Sequence, residues 1–102
     1  MNPYLPIVRR FLEKLRQDNV PIEQAVVYGS RAKGNARADS DIDLCVVSPY
    51  FRSRDDAIDY LWGKRGDEEA LARLEPIGYP PQDFVDEDPL VWEIKTKGLR
   101  II

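Results

Sequence analysis

The feature that most constrains the fold is a pair of short apolar runs that enclose a glycine- and charge-rich segment. The first run, residues 25–28, ends directly at Gly29, and the second, residues 42–47, is stopped by a Ser-Pro pair. Runs of this length that end at such residues are typical of buried strands. The segment between them, residues 29–40, predicts a loop with room for one helical turn.

Three other segments carry apolar residues at helical spacing and predict helices. The first starts at the Asn2-Pro3 pair, with Pro6 blurring the exact start, and runs to about Asp18; the others cover residues 54–64 and 89–97. Asn2 is predicted to cap the first of these helices, because a cap residue before a first-turn proline is a common helix start. The last helix follows an Asp-Pro pair and is ended by a glycine.

A third strand is predicted over residues 71–79, where the chain runs into Pro80 and Pro81. Two successive prolines cannot continue a central strand, so the strand ends there. Residues 99–102 are predicted to form an apolar tail. The predicted order is helix, strand, strand, helix, strand, helix, which indicates an α/β (α+β) fold with a small mixed sheet and helices packed against it.

Composition limits the classes of protein to consider. The chain has 102 residues, of which 43% are hydrophobic, and this fits a single compact domain over residues 1–102. A net charge of −3 and a pI of about 4.9 argue against strong nucleic-acid binding through the overall field. Because no segment has the length of a membrane span and residues 1–11 lack an apolar signal core, we expect a cytoplasmic protein.

The chain has no histidine and one cysteine, Cys45, which lies inside an apolar run. The absence of histidine excludes Ser-His and Cys-His catalysis and argues against a zinc site. One cysteine cannot form an intrachain disulfide, which fits a reducing compartment. We interpret Cys45 as a small core residue.

Two carboxylates lie at the start of the second predicted strand, at Asp41 and Asp43. Because successive strand residues point to opposite faces, these two side chains share one face, while Ile42 between them points into the core. Two neighbouring carboxylates repel each other, and a divalent cation such as Mg²⁺ relieves that repulsion. On its own, an Asp-x-Asp is more often a turn residue followed by a solvated edge residue, because such short motifs recur by chance.

The loop that precedes this pair suits a phosphate. Gly29 follows a buried strand directly and lets the backbone turn sharply, while Ser30 offers a hydroxyl and an N–H to a phosphate oxygen. Arg31 and Lys33 add positive charge, although they also fit a solvated loop with Arg37.

A second glycine, Gly34, gives the loop the glycine spacing of a P-loop. Asn35 and Ala36 stand where that motif requires Lys and Ser/Thr, so we exclude it.

Taken together, the Gly29-Ser30 turn and the Asp41-Ile42-Asp43 strand resemble the signature of the polymerase-β-like nucleotidyltransferase superfamily. The stretch over residues 26–47 is similar to its minimal branch, the MNT domain.

The resemblance implies a role for each part of this stretch. The triphosphate of ATP is bound by the residues of the turn, Gly29, Ser30, Arg31 and Lys33. The resemblance also implies that Asp41 and Asp43 bind two Mg²⁺ ions, which stabilise the attacking and leaving oxygens as AMP is transferred and pyrophosphate is released.

In this family a third carboxylate on a later strand completes the site. Glu75, on the third predicted strand, is the first choice, although family members often carry Asp at this position. Asp83 and Asp86 are the competing candidates, but they follow the two prolines in a predicted loop. Glu75 is also compatible with a surface salt bridge to Arg73.

Stand-alone MNT proteins resemble the antitoxin halves of HEPN–MNT pairs, which implies that a HEPN-domain ribonuclease is the partner and acceptor of AMP. Several apolar side chains are candidates for an exposed partner surface: Trp62, Trp92, Leu99, Ile101 and Ile102. The tryptophans are equally compatible with the core. The acceptor, the preferred nucleotide and the oligomeric state stay open.

Two alternative functions remain. The chain is also compatible with a non-catalytic antitoxin that blocks its partner by contact, although the intact Ser30, Asp41 and Asp43 favour turnover. It is compatible with a nucleotidyltransferase that acts on a small molecule such as an aminoglycoside, although such enzymes need an acceptor-binding domain, for which 102 residues leave little room.

Overall fold

The computed structural model of the chain describes residues 3–34, 37 and 40–102. Asn2, the predicted helix cap, and the Asn35-Ala36 pair lie outside the described residues. The elements in chain order are α1 Leu5–Gln17, β1 Gln24–Tyr28, α2 Ser30–Lys33, β2 Ile42–Val47, α3 Arg54–Gly63, α4 Asp67–Leu71, β3 Leu74–Tyr79, a 3₁₀ turn at Pro81–Asp83, α5 Pro89–Lys97 and β4 Leu99–Arg100. No helix in the described part of the chain is long and apolar enough to cross a membrane.

The four strands form one mixed sheet in the order β3-β2-β1-β4. Strand β1 pairs antiparallel with both β2 and β4, whereas β2 and β3 run parallel. The α2 turn connects β1 to β2, and the longer connection through α3 and α4 returns the chain to start β3 beside the start of β2. The predicted α+β fold with a small mixed sheet is confirmed.

The sheet has two faces, each covered by helices. The rear face is defined by Ile42, Leu44 and Val46 of β2, which pack in one apolar cluster with residues of α1 and α3. The front face is defined by Asp43, Cys45 and Val47 of β2; the last two pack in a second cluster with α5. Alternation along β2 therefore sends its carboxylate and its core residues to opposite sides of the sheet.

The third strand begins at Leu74 and not at the predicted Leu71. Leu71 ends a short helix, α4, and Arg73 has a φ of 59°, which turns the chain sharply into the strand. Helix α4 was not predicted, because its sequence is acidic and lacks apolar periodicity. It is held by Glu69, a fully buried carboxylate that accepts hydrogen bonds from Lys14 of α1 and from the backbone N–H of Gly66.

The sequence predicted an apolar tail over residues 99–102. In the structure this segment instead begins with strand β4, which pairs with the edge of β1. Its main chain continues to pair beyond the strand, with the N–H of Ile101 donating to the carbonyl of Ala25 at 2.7 Å. Ile101 and Ile102 are half-buried and pack against the rear cluster, so they are not exposed as expected. Leu99 alone of the three is exposed.

Candidate active site

The turn between β1 and α2 depends on a glycine. Gly29 has φ 73° and ψ −148°, a combination essentially restricted to glycine. The first hydrogen bond of the α2 turn runs from the N–H of Lys33 to the carbonyl of Gly29. The N–H of Ser30 lies at the start of this turn, where backbone N–H groups precede the first hydrogen bond of a helix and can donate to an anion.

Gly29 and Asp43 lie in contact. A Cβ on Gly29 would collide with Oδ2 of Asp43 and would lie 3.4 Å from its Cγ. The contact arises because the antiparallel register places Tyr28, the residue before the glycine, opposite Asp43. The Gly29 turn, which was predicted to bind phosphate, and the Asp43 carboxylate of β2 therefore belong to one surface.

The parallel register of β2 and β3 places Glu75 directly beside Asp43. Neighbouring strands lie about 4.8 Å apart, and side chains paired in register share a face. Asp43 and Glu75 are both half-buried, whereas Asp41, two residues earlier on the same side of the chain, is exposed. The structure thus brings the three carboxylates predicted from the sequence to one corner of the front face.

The arrangement of the three carboxylates shifts the pKa of Asp43. Partial burial, and then the charges of Glu75 and Asp41, raise the pKa of Asp43 above its usual value. The ionised form is disfavoured at this position, and a cation placed between the carboxylates would favour it again.

The carboxylates at this corner are ligands of the chemical type that Mg²⁺ binds. Among the residues that the structure describes, no three His, Cys, Asp or Glu side chains are gathered closely enough to hold an ion. Mg²⁺ does not require such a cage, because it typically binds one or two carboxylates and completes its shell with waters and substrate phosphates. The Asp43–Glu75 pair, with Asp41 at its edge, supplies carboxylates of this kind.

The two competing carboxylates lie elsewhere. Asp83 ends the 3₁₀ turn that follows β3, and Asp86 lies further along the same connection. Because β3 runs parallel to β2, this connection leaves from the opposite end of the strand, about 13 Å from Glu75 at the usual rise per residue. Asp86 is also engaged with Lys95 at 2.7 Å.

The two basic residues of the loop have contacts with groups other than the three carboxylates. The guanidinium of Arg31 donates to the carbonyl of Ser40 at 2.9 Å and lies 5.9 Å from the centroid of the Tyr4 ring. Arg31 therefore ties the two ends of the loop together on the side of α1. Lys33 is exposed, with Nζ 3.9 Å from Glu93 of α5.

Sequence reasoning did not single out Tyr28, which the structure places next to the carboxylates. Its ring is half-buried and packs against the front cluster. Burial, and then the neighbouring charge of Asp43, strongly raise the pKa of its hydroxyl, so the phenol stays protonated. Its position directly before Gly29 was the signal in the sequence that could have identified it.

Cys45, two residues after Asp43, is buried, and burial raises the pKa of its thiol to about 12, which fits the predicted core role.

Comparison with known proteins adds one match. The family model described as "Nucleotidyltransferase domain" matches residues 8–100. No curated protein matches the chain. The matched segment contains Gly29, Asp43 and Glu75, so it includes the whole corner of the front face described above.

Proposed function

Because the chain belongs to the nucleotidyltransferase domain family, we propose that it transfers AMP from ATP to a hydroxyl group at the corner formed by Gly29, Asp43 and Glu75. The observation that carries the proposal is the contact between the Gly29 turn and Asp43, with Glu75 in register beside it. Groups that suit a phosphate and groups that suit a cation lie side by side, as a metal-bound triphosphate requires.

Each element of the corner has a proposed role. The backbone N–H and the hydroxyl of Ser30, at the start of α2, hold phosphate oxygens of ATP. Asp41, Asp43 and Glu75 provide the carboxylates for Mg²⁺. When bound, Mg²⁺ supplies positive charge that offsets both the carboxylates and the triphosphate.

The reaction is an in-line substitution. The oxygen of the acceptor hydroxyl forms a bond to the α-phosphorus, and the bond from that phosphorus to the bridging oxygen of pyrophosphate breaks. The electron pair leaves with pyrophosphate, and the hydroxyl proton passes to a base. Glu75 is proposed as that base, because it lies beside Asp43 and half-exposed on the front face.

The proposed acceptor is a protein, a HEPN-domain ribonuclease that is inactivated by the transfer. Two exposed aromatic side chains, on helices that cover opposite faces of the sheet, are separate candidates for contact with a partner: Trp62 of α3 is 42% exposed and Trp92 of α5 is 50% exposed. The alternative interpretation, in which both are core residues, is wrong. Exposed tryptophans are enriched where proteins bind one another.

The test is a transfer assay with ATP labelled at the α-phosphate, Mg²⁺, the purified chain and a purified HEPN-domain ribonuclease as the acceptor. We expect label on the partner with the wild type and none with Asp43→Asn. Inhibition of the ribonuclease without label would identify the non-catalytic antitoxin, and label confined to an added aminoglycoside would identify the small-molecule enzyme.

A further inference from the structure

Arg73 has an unusual backbone conformation at the edge of the candidate active site. Its φ of 59° lies in the left-handed region, which L-residues other than asparagine and aspartate rarely adopt. Among the described residues, the only other one with a positive φ that is not glycine is Asn19, whose residue type tolerates this region. Arg73 follows the end of α4, where a glycine would form the same turn without strain. Arginine at such a position indicates a role for its side chain.

Arg73 lies on the β3 side of the carboxylates. Its carbonyl accepts a hydrogen bond from the N–H of Ile42 at 2.9 Å, so its backbone lies beside the peptide that joins Asp41 to Ile42. Glu75 follows two residues later in β3. The Gly29 turn lies on the other side, because β2 separates β3 from β1 in the sheet. The aspartates of β2 therefore lie between the Gly29 turn and Arg73.

The side chain of Arg73 is exposed and is not paired with the neighbouring carboxylates. Because residues two apart in a strand share a face, an extended Arg73 would lie beside Glu75 and compete with a cation for it. The left-handed φ breaks that alternation. In the part of the chain that the structure describes, the Arg73 side chain forms no ion pair and no hydrogen bond. Its guanidinium is available to an anionic group that arrives with a substrate.

An exposed apolar side chain lies close to Arg73 in the chain. Leu71 ends helix α4 and is 86% exposed. A single exposed leucine is common on a protein surface and needs no explanation by itself. Here it lies two residues from an unpaired arginine, so the segment 71–73 offers an apolar contact and a cationic contact together. Both contacts border Glu75, the proposed base.

The geometry of an in-line substitution gives this segment its significance. The acceptor oxygen and the leaving pyrophosphate lie on opposite sides of the α-phosphorus. Because the Gly29 turn, at the end of β1, is proposed to hold the phosphates that leave, the acceptor approaches from the side of β3. Residues 71–73 lie on that side.

We propose that residues 71–73 dock the acceptor protein, through a segment that carries an acidic and an apolar side chain next to the hydroxyl that receives AMP. The acidic side chain pairs with Arg73, and the apolar side chain covers Leu71. This inference rests on the proposed function, because it identifies how the acceptor of that reaction is recognised.

The transfer assay with a purified HEPN-domain ribonuclease tests the proposal through separate values of KM and kcat. We expect Arg73→Gly to raise the KM for the ribonuclease about tenfold, as the loss of a hydrogen bond to a charged group implies, with unchanged affinity for ATP and Mg²⁺. Because glycine relieves the left-handed conformation, the variant should melt at a temperature at least as high as the wild type. Asn19→Gly, at the other left-handed position, is the matched control and should keep the wild-type KM.

Two further variants test the chemistry of the contact. Leu71→Ser should also raise the KM, with an unchanged melting temperature, because the side chain is exposed. Arg73→Glu should discriminate against the ribonuclease. A ribonuclease in which the acidic residue beside the labelled hydroxyl is changed to lysine should restore the KM of Arg73→Glu. Mass spectrometry of the labelled product locates that hydroxyl.

The outcomes separate this proposal from the proposed function. An unchanged KM in Arg73→Gly, or an equal rise in the Asn19→Gly control, would overturn the docking surface while the transfer reaction stands. Absence of label with the wild type would overturn the proposed function. Direct titration of the ribonuclease into the chain then tests the docking surface, and equal affinity for the wild type and Arg73→Gly, or no binding to either, would overturn it as well.

Discussion

Gly29 determines whether the turn and the carboxylates can share one surface. We predict that Gly29→Ala lowers stability and abolishes transfer, because its backbone conformation is restricted to glycine and the new Cβ would collide with Asp43. The matched control is Gly34→Ala, at φ +77° with nothing within 4 Å of the new Cβ.

In the Gly34→Ala control, the free energy of unfolding should fall only by the cost of placing alanine in a left-handed conformation, about 1–2 kcal/mol. The control should keep its activity. Thermal melts and transfer assays on both variants measure the difference. If Gly29→Ala melts and transfers like the Gly34→Ala control, the proposed contact between the turn and Asp43 does not govern the site.

Ser30 is proposed to bond a phosphate and no core atom. We therefore predict that Ser30→Ala leaves the melting temperature unchanged and lowers the rate of transfer roughly tenfold to a hundredfold. That range follows from the loss of one hydrogen bond to a charged group, worth about 1.5–3 kcal/mol. Steady-state kinetics provide the measurement, and an unchanged rate would remove Ser30 from the site.

Asp43 makes the stability of the metal-free protein depend on pH. Its folded-state pKa lies above the ordinary value, so ionisation at neutral pH disfavours the folded state. The penalty is fully present above the folded pKa and disappears as the pH falls below the unfolded value. We predict that Asp43→Asn melts at a higher temperature than the wild type at pH 7 without metal, and at the same temperature at pH 3.

Melting curves with and without Mg²⁺ at both pH values provide the measurement. Mg²⁺ should stabilise the wild type more than Asp43→Asn at pH 7. A variant less stable than the wild type at pH 7 in the absence of metal would contradict the electrostatic account of the site.

At the scale of single residues, the features of the site that depend on local chemistry could be predicted from the sequence. The Gly29 turn follows from its place at a strand end, and the shared face of Asp41 and Asp43 follows from strand alternation. The direction of the Arg31 side chain could not be predicted, since it depends on Ser40 and on Tyr4, a residue of another element.

Strand β3 is the element that selects the third carboxylate. Its parallel register with β2 places Glu75 beside Asp43, and the strand carries the chain away from there before Asp83. We predict that Glu75→Gln abolishes transfer while it retains most of the affinity for ATP, since two carboxylates remain. Asp83→Asn and Asp86→Asn are the controls and should transfer at wild-type rates.

Transfer kinetics and ATP titrations on the three variants test this assignment. An active Glu75→Gln alongside an inactive Asp83→Asn or Asp86→Asn would place the third carboxylate in the connection after β3.

The helices and strands that were predicted carry their own periodic pattern, and those that were missed do not. Helix α4 depends on the ion pair between the buried Glu69 and the partly exposed Lys14, which lie far apart in the sequence. Strand β4 is short and exists through its pairing with β1. Contacts between distant segments define both elements, and a single sequence does not reveal such contacts.

At the scale of the whole molecule, the sheet separates the candidate active site on the front face from the apolar cluster on the rear face. The front face carries the carboxylates and the Gly29 turn, and the rear cluster includes Tyr4. Arg31 follows the turn in sequence yet lies over the Tyr4 ring, so one short segment contributes to both sides.

Asp43 and its neighbours are proposed to form a cation-dependent ATP site. Isothermal titration calorimetry of ATP into the purified chain, with and without Mg²⁺, tests it most directly, with Asp43→Asn as the control. We predict binding by the wild type only when Mg²⁺ is present, and a loss of that dependence in Asp43→Asn. Equal affinity of the wild type for ATP in the two conditions, or Mg²⁺-dependent binding of equal strength by Asp43→Asn, would contradict the account.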